Sequence, residues 1–364
     1  MATKNNILPF KATHPGVLIK DELDARPNLN QKDLAKEIGV KASFLNEIIK
    51  GKRPVTADIA ILLENILEIP ADYWMKFQSQ FEIDKARIKE KNIARLEKIE
   101  IWKVIKEYVP IKYFKRLGYI NDNLDTDIPI IKEIYNVKNV DDLLSTYAKS
   151  SFAFYRKSDK LQIDNKNMFA WSSLALHEAK IKTVNIFNFE NIDQLCKKLN
   201  IIFYENKNTI EKVKSTLKQY GIKLVLIPNL EKTPVDGFSY WSEHNPAIAL
   251  TLRHSRIDNF AFTLMHEIAH IELHLKNNKE KRFLDLTTKN KTDKFESEAD
   301  LFAQEKLISN DCWKEILNNY HSLNDEKILA IGEKYKINPA ILLGRICYEM
   351  NYYALKTTID KRLQ

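Results

Sequence analysis

The sequence predicts a mainly α-helical protein with one small β-sheet, an α+β chain built from more than one domain. Three observations carry this. Apolar residues recur at helical spacing through residues 14–80 and again after residue 255, with Asn and Gly as punctuation. Short β-rich segments cluster only in residues 222–252. At 364 residues the chain is longer than one ordinary core. Expected boundaries are 12–80 for a helix-turn-helix domain, 81–183 for a basic helical connector and 184–355 for a C-terminal domain.

The first segment opens with a helix from His14-Pro-Gly to about Leu23. A second runs from Asn30, a natural N-cap, to Ile38, and Gly39 ends it as a left-handed residue. A third spans Ala42 to Lys50 and stops at Gly51. Leu34, Ala35, Ile38, Val40, Leu45 and Ile48 face inward across the short turn, which describes a helix-turn-helix. The exposed face of the third helix then carries Lys41, Ala42, Ser43, Asn46 and Lys50. Asn suits adenine edges, and Lys suits guanine or phosphate. Gln31, Lys52 and Arg53 are placed for contacts to the DNA backbone.

From Phe81 to about Tyr113, Ile88, Ile93, Leu96, Ile99, Trp102 and Ile105 recur among lysines, predicting one long amphipathic helix. Residues 85–118 hold eleven Lys/Arg against four Glu, so most of the chain's net charge of +8 sits here. Residues 1–80 are near balance. Helices follow at Ile128–Tyr135, Val140–Tyr147 and Met168–Ile181, and the segment shows no chemistry of its own.

The third segment begins with helices at Phe189–Lys198 and Thr209–Tyr220, the latter closed by Gly221. Strands are expected at Ile222–Ile227, Phe238–Trp241 and Ala247–Leu252. Their edge would suit pairing with an extended polypeptide. The next stretch, Phe262 to His274, is helical, with His266 and His270 four residues apart and therefore about 40° apart on one face. Two imidazoles so placed reach one tetrahedral ion, and Glu267, one step round the helix, can hydrogen-bond a metal-bound water without being a ligand. A third His ten residues after His266 is absent, since Lys276 stands there. The helix about 25 residues on supplies a carboxylate instead. Glu296 and Asp300 share a face, so Glu296 reaches the ion while Asp300 orients a ligating imidazole. Glu298 points about 160° away from Glu296. His274 continues the histidine stripe as an outer partner, which leaves a fourth position for water. Asp325–Tyr335 and Pro339–Met350 form a last, apolar helix pair. Cys196, Cys312 and Cys347 form no paired motif and read as packing residues of a reducing cytoplasm. No apolar run suggests a signal peptide or a membrane span.

Two resemblances sharpen this reading. His14-Pro-Gly, Asn30-Gln-Lys-Asp-Leu-Ala, Ile48-Ile-Lys-Gly-Lys-Arg-Pro-Val-Thr and Ile69-Pro-Ala-Asp-Tyr-Trp resemble the HigA-type antitoxin branch of the Cro/C1 helix-turn-helix family. That resemblance implies a five-helix domain that binds operator DNA, commonly as a homodimer. Lys41 departs from it, standing where a capping Ser is common. Residues 184–350 resemble the ImmA/IrrE zinc metallopeptidases through Gly237-Phe-Ser-Tyr-Trp, Ser255 to His270, Glu296-x-x-Ala-Asp-x-Phe-Ala303 and Asn338 to Arg345. It implies Zn2+ on His266, His270 and Glu296 with Glu267 as base. Here too there is a departure: Leu307-Ile-Ser replaces the usual Leu-Met-Pro. The expectation is a DNA-binding regulator fused to a gluzincin-like peptidase that cuts a repressor, a toxin or itself. Tyr240, Arg253 and His254 are the oxyanion-stabilising candidates. The alternative is an antitoxin that neutralises a toxin by binding, with structural, sensory or vestigial zinc.

Overall fold

The computed structural model describes residues 11–157, 164–286, 293–318, 323–351 and 356–364. These fall into two compact units that part between Trp102 and Lys103. The expected connector is therefore divided, with residues 81–102 in the first unit and 103–183 in the second.

The first unit begins with α1 (Pro15–Asp24), α2 (Gln31–Glu37), α3 (Ala42–Ile49), α4 (Ala57–Leu67) and α5 (Ala71–Arg87), the five helices expected. Side chains set their starts: His14 Nδ1 accepts from Gly16 N, Asn30 from Lys32 and Asp33 N, and Thr56 from Ile59 N. Gly39 and Gly51 are left-handed, as their places after α2 and α3 require. Ile19, Leu34, Leu45, Ile48, Leu63 and Trp74 are fully buried together. Each such aliphatic side chain contributes about 1.5–3 kcal/mol. Gly16 fixes the packing of α1 on α3, because a Cβ there would lie 2.2 Å from Ile48 O.

The long helix expected over residues 81–113 is a correction. The chain instead forms α5, α6 (Glu90–Tyr108) and α7 (Ile111–Arg116). Pro110 lacks an N–H, so α6 cannot continue through it, and it starts α7 instead. At Ile88–Lys89 the apolar spacing runs on across the break, and Asn92 Nδ2 donates to Ala86 O across it.

The second unit contains α8 (Leu124–Tyr135), α9 (Val140–Lys157), α10 (Asn165–Lys180), α11 (Ile192–Glu205) and α12 (Thr209–Gln219). A four-stranded sheet follows, of β1 (Lys223–Leu226), β2 (Val235–Ser242), β3 (Asn245–Leu250) and β4 (Arg282–Leu286), in the order β1-β3-β2-β4. β1 runs parallel to β3, while β2 is antiparallel to both its neighbours. The sequence reading missed β4. Between β3 and β4 lie α13 (Ile257–Ala269) and a π-helical turn, His270–Leu275, where a continuous α-helix was expected. After β4 come α14 (Lys294–Leu307), α15 (Asn310–Asn318), α16 (Asp325–Tyr335) and α17 (Pro339–Glu349). Residues of β2 alternate in facing: Tyr240 donates to Ala175 O of α10, and Ser239 meets α13 on the other side. The last residues tie back to the start of α13 through Ile257 N→Lys361 O, 2.9 Å, and Leu363 N→Ser255 O, 3.1 Å. No described helix is long and apolar enough to cross a membrane.

Candidate metal centre and nucleic-acid interface

α13 and α14 pack closely because Ala299 and Ala303, both fully buried, leave room between them. This brings Glu296 to the histidines of α13 and the π-helical turn. His266 Nε2 lies 3.0 Å from His270 Nε2 and 3.1 Å from Glu296 Oε2, and His270 Nε2 lies 3.7 Å from Glu296 Oε1. Ligands held at about 2.0–2.1 Å around a tetrahedral ion sit about 3.3–3.4 Å apart; the two nitrogens approach different oxygens of the Glu296 carboxylate, and one donor atom from each residue lies within 4.8 Å of the others. The outer nitrogens are also engaged. His266 Nδ1 is 2.9 Å from Asp300 Oδ1, which leaves Nε2 free for a cation. His270 Nδ1 is 2.9 Å from His274 Nδ1, and His274 Nε2 is 3.1 Å from Glu298 Oε2. Glu298 thus serves His274, while Glu296 faces the histidine pair.

Glu267 is fully buried beside them. The Ser239 hydroxyl bridges its backbone oxygen, at 2.9 Å, and its Oε2, while Oε1 is buried without a hydrogen-bond partner. Space for this side chain comes from Gly237, where a Cβ would stand 2.0 Å from Glu267 Oε1. Burial pushes the Glu267 carboxyl well above its usual range. Burial opposes protonation of His266, but hydrogen bonds to Asp300 and Glu296 outweigh it and lift the imidazole to about 10. The orphaned Oε1 and the two-imidazole, one-carboxylate donor set fit a divalent metal such as zinc.

Of the oxyanion candidates, Tyr240 is a correction. Strand alternation sends it to the α10 face, where its hydroxyl is spent on Ala175 O and burial raises its pKa far above the usual phenol value. Arg253 is drawn to Asp236 at 4.0 Å. His254 lines a groove with Phe262, Gln304, Leu307, Ile308 and Arg345. Phe262 links this groove to the centre, its ring centroid 6.2 Å from that of His266. Leu307 and Ile308 keep the groove apolar although the usual Pro is missing. Gly237, Ser239 and Asp285 of β4 are site residues that the site reading did not single out. Asp285, 8% exposed, lies with His266 and Glu267 within 4.8 Å, donor atom to donor atom. An isolated Asp among Phe283, Leu284 and Leu286 was the available signal.

In the first unit, Lys41, Ala42, Ser43, Lys50, Lys52 and Arg53 are exposed, and Gln31 and Asn46 half-buried. Gln31, Asn46 and Lys50 line one concavity with Lys20 and Asn30. Arg53 is held by an ion pair to Glu47 and lies over the Phe44 ring, 5.2 Å to its centroid. Lys41 begins α3 without a side-chain cap.

Residues 217–346 match the family model of the IrrE N-terminal-like domain, peptidase M78, and residues 19–74 match that of a helix-turn-helix. Two curated proteins of Dichelobacter nodosus are similar. Virulence-associated protein I is 32% identical over 21% of this chain and 69% of its own length. Virulence-associated protein A' is 33% identical over 20% and 63%. The chain thus spans about two thirds of the length of these relatives. Among solved structures, it is similar to an addiction module antidote protein of the HigA family from Coxiella burnetii, at 26% identity, 24% of this chain, 94% of that one and a TM-score of 0.23. For the Pseudomonas aeruginosa antitoxin HigA, solved with the higBA promoter, the values are 29%, 24%, 92% and 0.22.

Proposed function

Because the chain belongs to a helix-turn-helix family through residues 19–74 and carries an IrrE N-terminal-like, peptidase M78 domain over residues 217–346, we propose that it is a DNA-binding regulator with a zinc-dependent endopeptidase unit. Its substrate is a protein partner, a repressor or toxin, or the chain itself. The observation that carries this reading is the convergence of His266, His270 and Glu296 beside the dry carboxylate of Glu267.

His266, His270 and Glu296 would hold the zinc, with Asp300 and His274 fixing the two rings through their outer nitrogens. A zinc ion held there supplies Lewis acidity, polarising a scissile carbonyl and acidifying the attacking water. Glu267 would take a proton from the attacking water and return it to the leaving amine, the Oε1 that has no protein hydrogen-bond partner being the atom available for it. Ser239 keeps Oε2 oriented, and Gly237 leaves the space in which the carboxylate stands. The apolar groove beside Phe262 receives a side chain of the substrate. In the first unit, α3 enters the major groove of operator DNA: Lys41, Ala42, Ser43 and Asn46 face base edges, while Gln31, Lys50, Lys52 and Arg53 contact the backbone. A homodimer places two such helices on two half-sites.

The test incubates purified protein and its Glu267→Gln variant with candidate partners. The expected result is that the variant keeps its zinc and loses cleavage by about 10²–10⁴-fold. If the wild-type chain cuts nothing while both forms neutralise a toxin equally, the peptidase reading fails and a purely binding antitoxin replaces it.

A further inference from the structure

The two histidines of the centre are held from behind in different ways. His266 Nδ1 meets a carboxylate directly, Asp300 Oδ1 at 2.9 Å, whereas His270 Nδ1 meets another imidazole, His274 Nδ1, at 2.9 Å. Behind that imidazole stands a second carboxylate of α14, with His274 Nε2 3.1 Å from Glu298 Oε2. So α14 reaches His266 through Asp300, and reaches His270 through Glu298 by way of His274. His270 and His274 both belong to the π-helical turn, a form frequent at functional sites. His274 is 6% exposed, its ring centroid 5.0 Å from that of Phe283 and 4.9 Å from that of Phe295, the latter edge to face. Packing against these two rings fixes the plane of the imidazole.

A neutral imidazole that offers Nε2 to a cation carries its proton on Nδ1, so His270 is the donor in its contact with His274. His274 Nδ1 is then the bare nitrogen, and a neutral His274 carries its own proton on Nε2. There it faces Glu298, whose ionised carboxylate only accepts. With the other tautomer of His274, two N–H groups would oppose each other at 2.9 Å and a bare nitrogen would face a carboxylate. One tautomer of each ring therefore satisfies both contacts. We propose that Glu298 is a positioning residue, acting through His274 to hold His270 in the tautomer and orientation that present Nε2 to the metal. This rests on the metal centre proposed above. The Glu298 side chain is 42% exposed, and Lys294 lies 3.6 Å from its other oxygen. A surface position of α14 thus tunes a buried ligand.

The experiment titrates the metal-free, full-length chain with Co2+ in competition with a chelator. Wild type is compared with Glu298→Ala, Glu298→Gln, His274→Phe and the double variant Glu298→Ala/His274→Phe. Ala is a good helix former and Phe keeps an aromatic ring in place of the imidazole, and circular dichroism verifies each fold. Glu298→Ala is expected to weaken Co2+ binding about 10-fold, as the loss of an outer partner does. Glu298→Gln, which keeps an acceptor oxygen, should weaken it less. Adding Glu298→Ala to His274→Phe should cost nothing further, since the two residues act as one chain, whereas independent structural losses would add. In the zinc-loaded wild type, 15N NMR should find the His274 proton on Nε2 and the His270 proton on Nδ1. Unchanged affinity in Glu298→Ala, additive losses, or a His274 proton on Nδ1 overturn this inference and leave the three-residue centre standing. The NMR result decides alone if His274→Phe does not fold. A wild-type chain that binds no Co2+ overturns the centre itself, and this inference with it.

Discussion

In the first unit the side chains proposed to meet DNA, Lys41, Ala42, Ser43 and Lys50, are exposed and lie on or beside one short helix. In the second, His266, Glu267 and His270 have no exposure at all, and Glu296, Ser239 and Asp285 come to them from three other elements. On the function proposed above, the difference follows from what each unit would bind. A duplex is met by water-exposed groups whose loss leaves the fold untouched. A small ion held among buried carboxylates would be part of the fold, because each buried charge is costly until it is matched. Substitutions at the buried centre should therefore change stability and function together, whereas at the exposed face, helix caps such as Lys41 apart, they should change function alone.

The sharpest way to break this contrast is His266→Ala. It removes one of two imidazoles 3.0 Å apart and should abolish stoichiometric zinc, measured by elemental analysis of the purified protein. The wild-type chain, with zinc at a hundred times its Kd, gains about 2.7 kcal/mol against unfolding. The variant should show no zinc-dependent shift in melting temperature. Zinc retained in full would remove the proposed ligand set.

A subtler probe is Gly237→Ala. The added Cβ meets Glu267 Oε1 at 2.0 Å with β2 backbone behind it, so the carboxylate must move. Overpacking of this kind costs about 1–3 kcal/mol of stability. Cleavage should fall with zinc content unchanged, since neither histidine is touched. Equal loss of zinc and cleavage would place Gly237 in support of the ligands instead of the base.

That glycine also shows where the sequence was readable. The spacings His266–His270 and Glu296–Asp300 are local, and helix geometry alone puts each pair on one face, so the centre could be drawn before any fold was known. The turn residues Asn30, Gly39 and Gly51 punctuate the helix-turn-helix in the same local way. β4 was not readable. Five residues carry little period-2 signal, and their partner strand is set by pairing Asp285 with Gly237, far away in the chain. Tyr240 went wrong for a reason that was available: with Gly237 and Ser239 facing α13, alternation alone sends it to the other face. The break at Ile88–Lys89 was hidden because the apolar spacing continues through it without Gly or Pro.

For the exposed unit, Asn46→Ala tests whether loss is confined to binding. Asn46 lines the concavity shared with Gln31 and Lys50. If it reads a base, its loss should cost about 1–3 kcal/mol at a specific operator, with the melting temperature unchanged. A uniform loss across all sequences would assign it to the phosphate backbone.

The smallest expected effect separates stability from binding at a single position. Lys41 occupies the N-cap of α3 in extended conformation and makes no side-chain capping bond. Ser there can accept from the backbone N–H groups of the first turn, so Lys41→Ser should stabilise the unit by about 0.5–2 kcal/mol, read by hydrogen exchange of the α3 amides. The same change removes an exposed cation from the face offered to DNA. Binding should weaken on every sequence alike, and the slope of log affinity against log salt should fall by about one. A variant that is both more stable and unaltered in salt dependence would show that Lys41 contacts no phosphate, leaving Lys50, Lys52 and Gln31 to hold the helix in the groove.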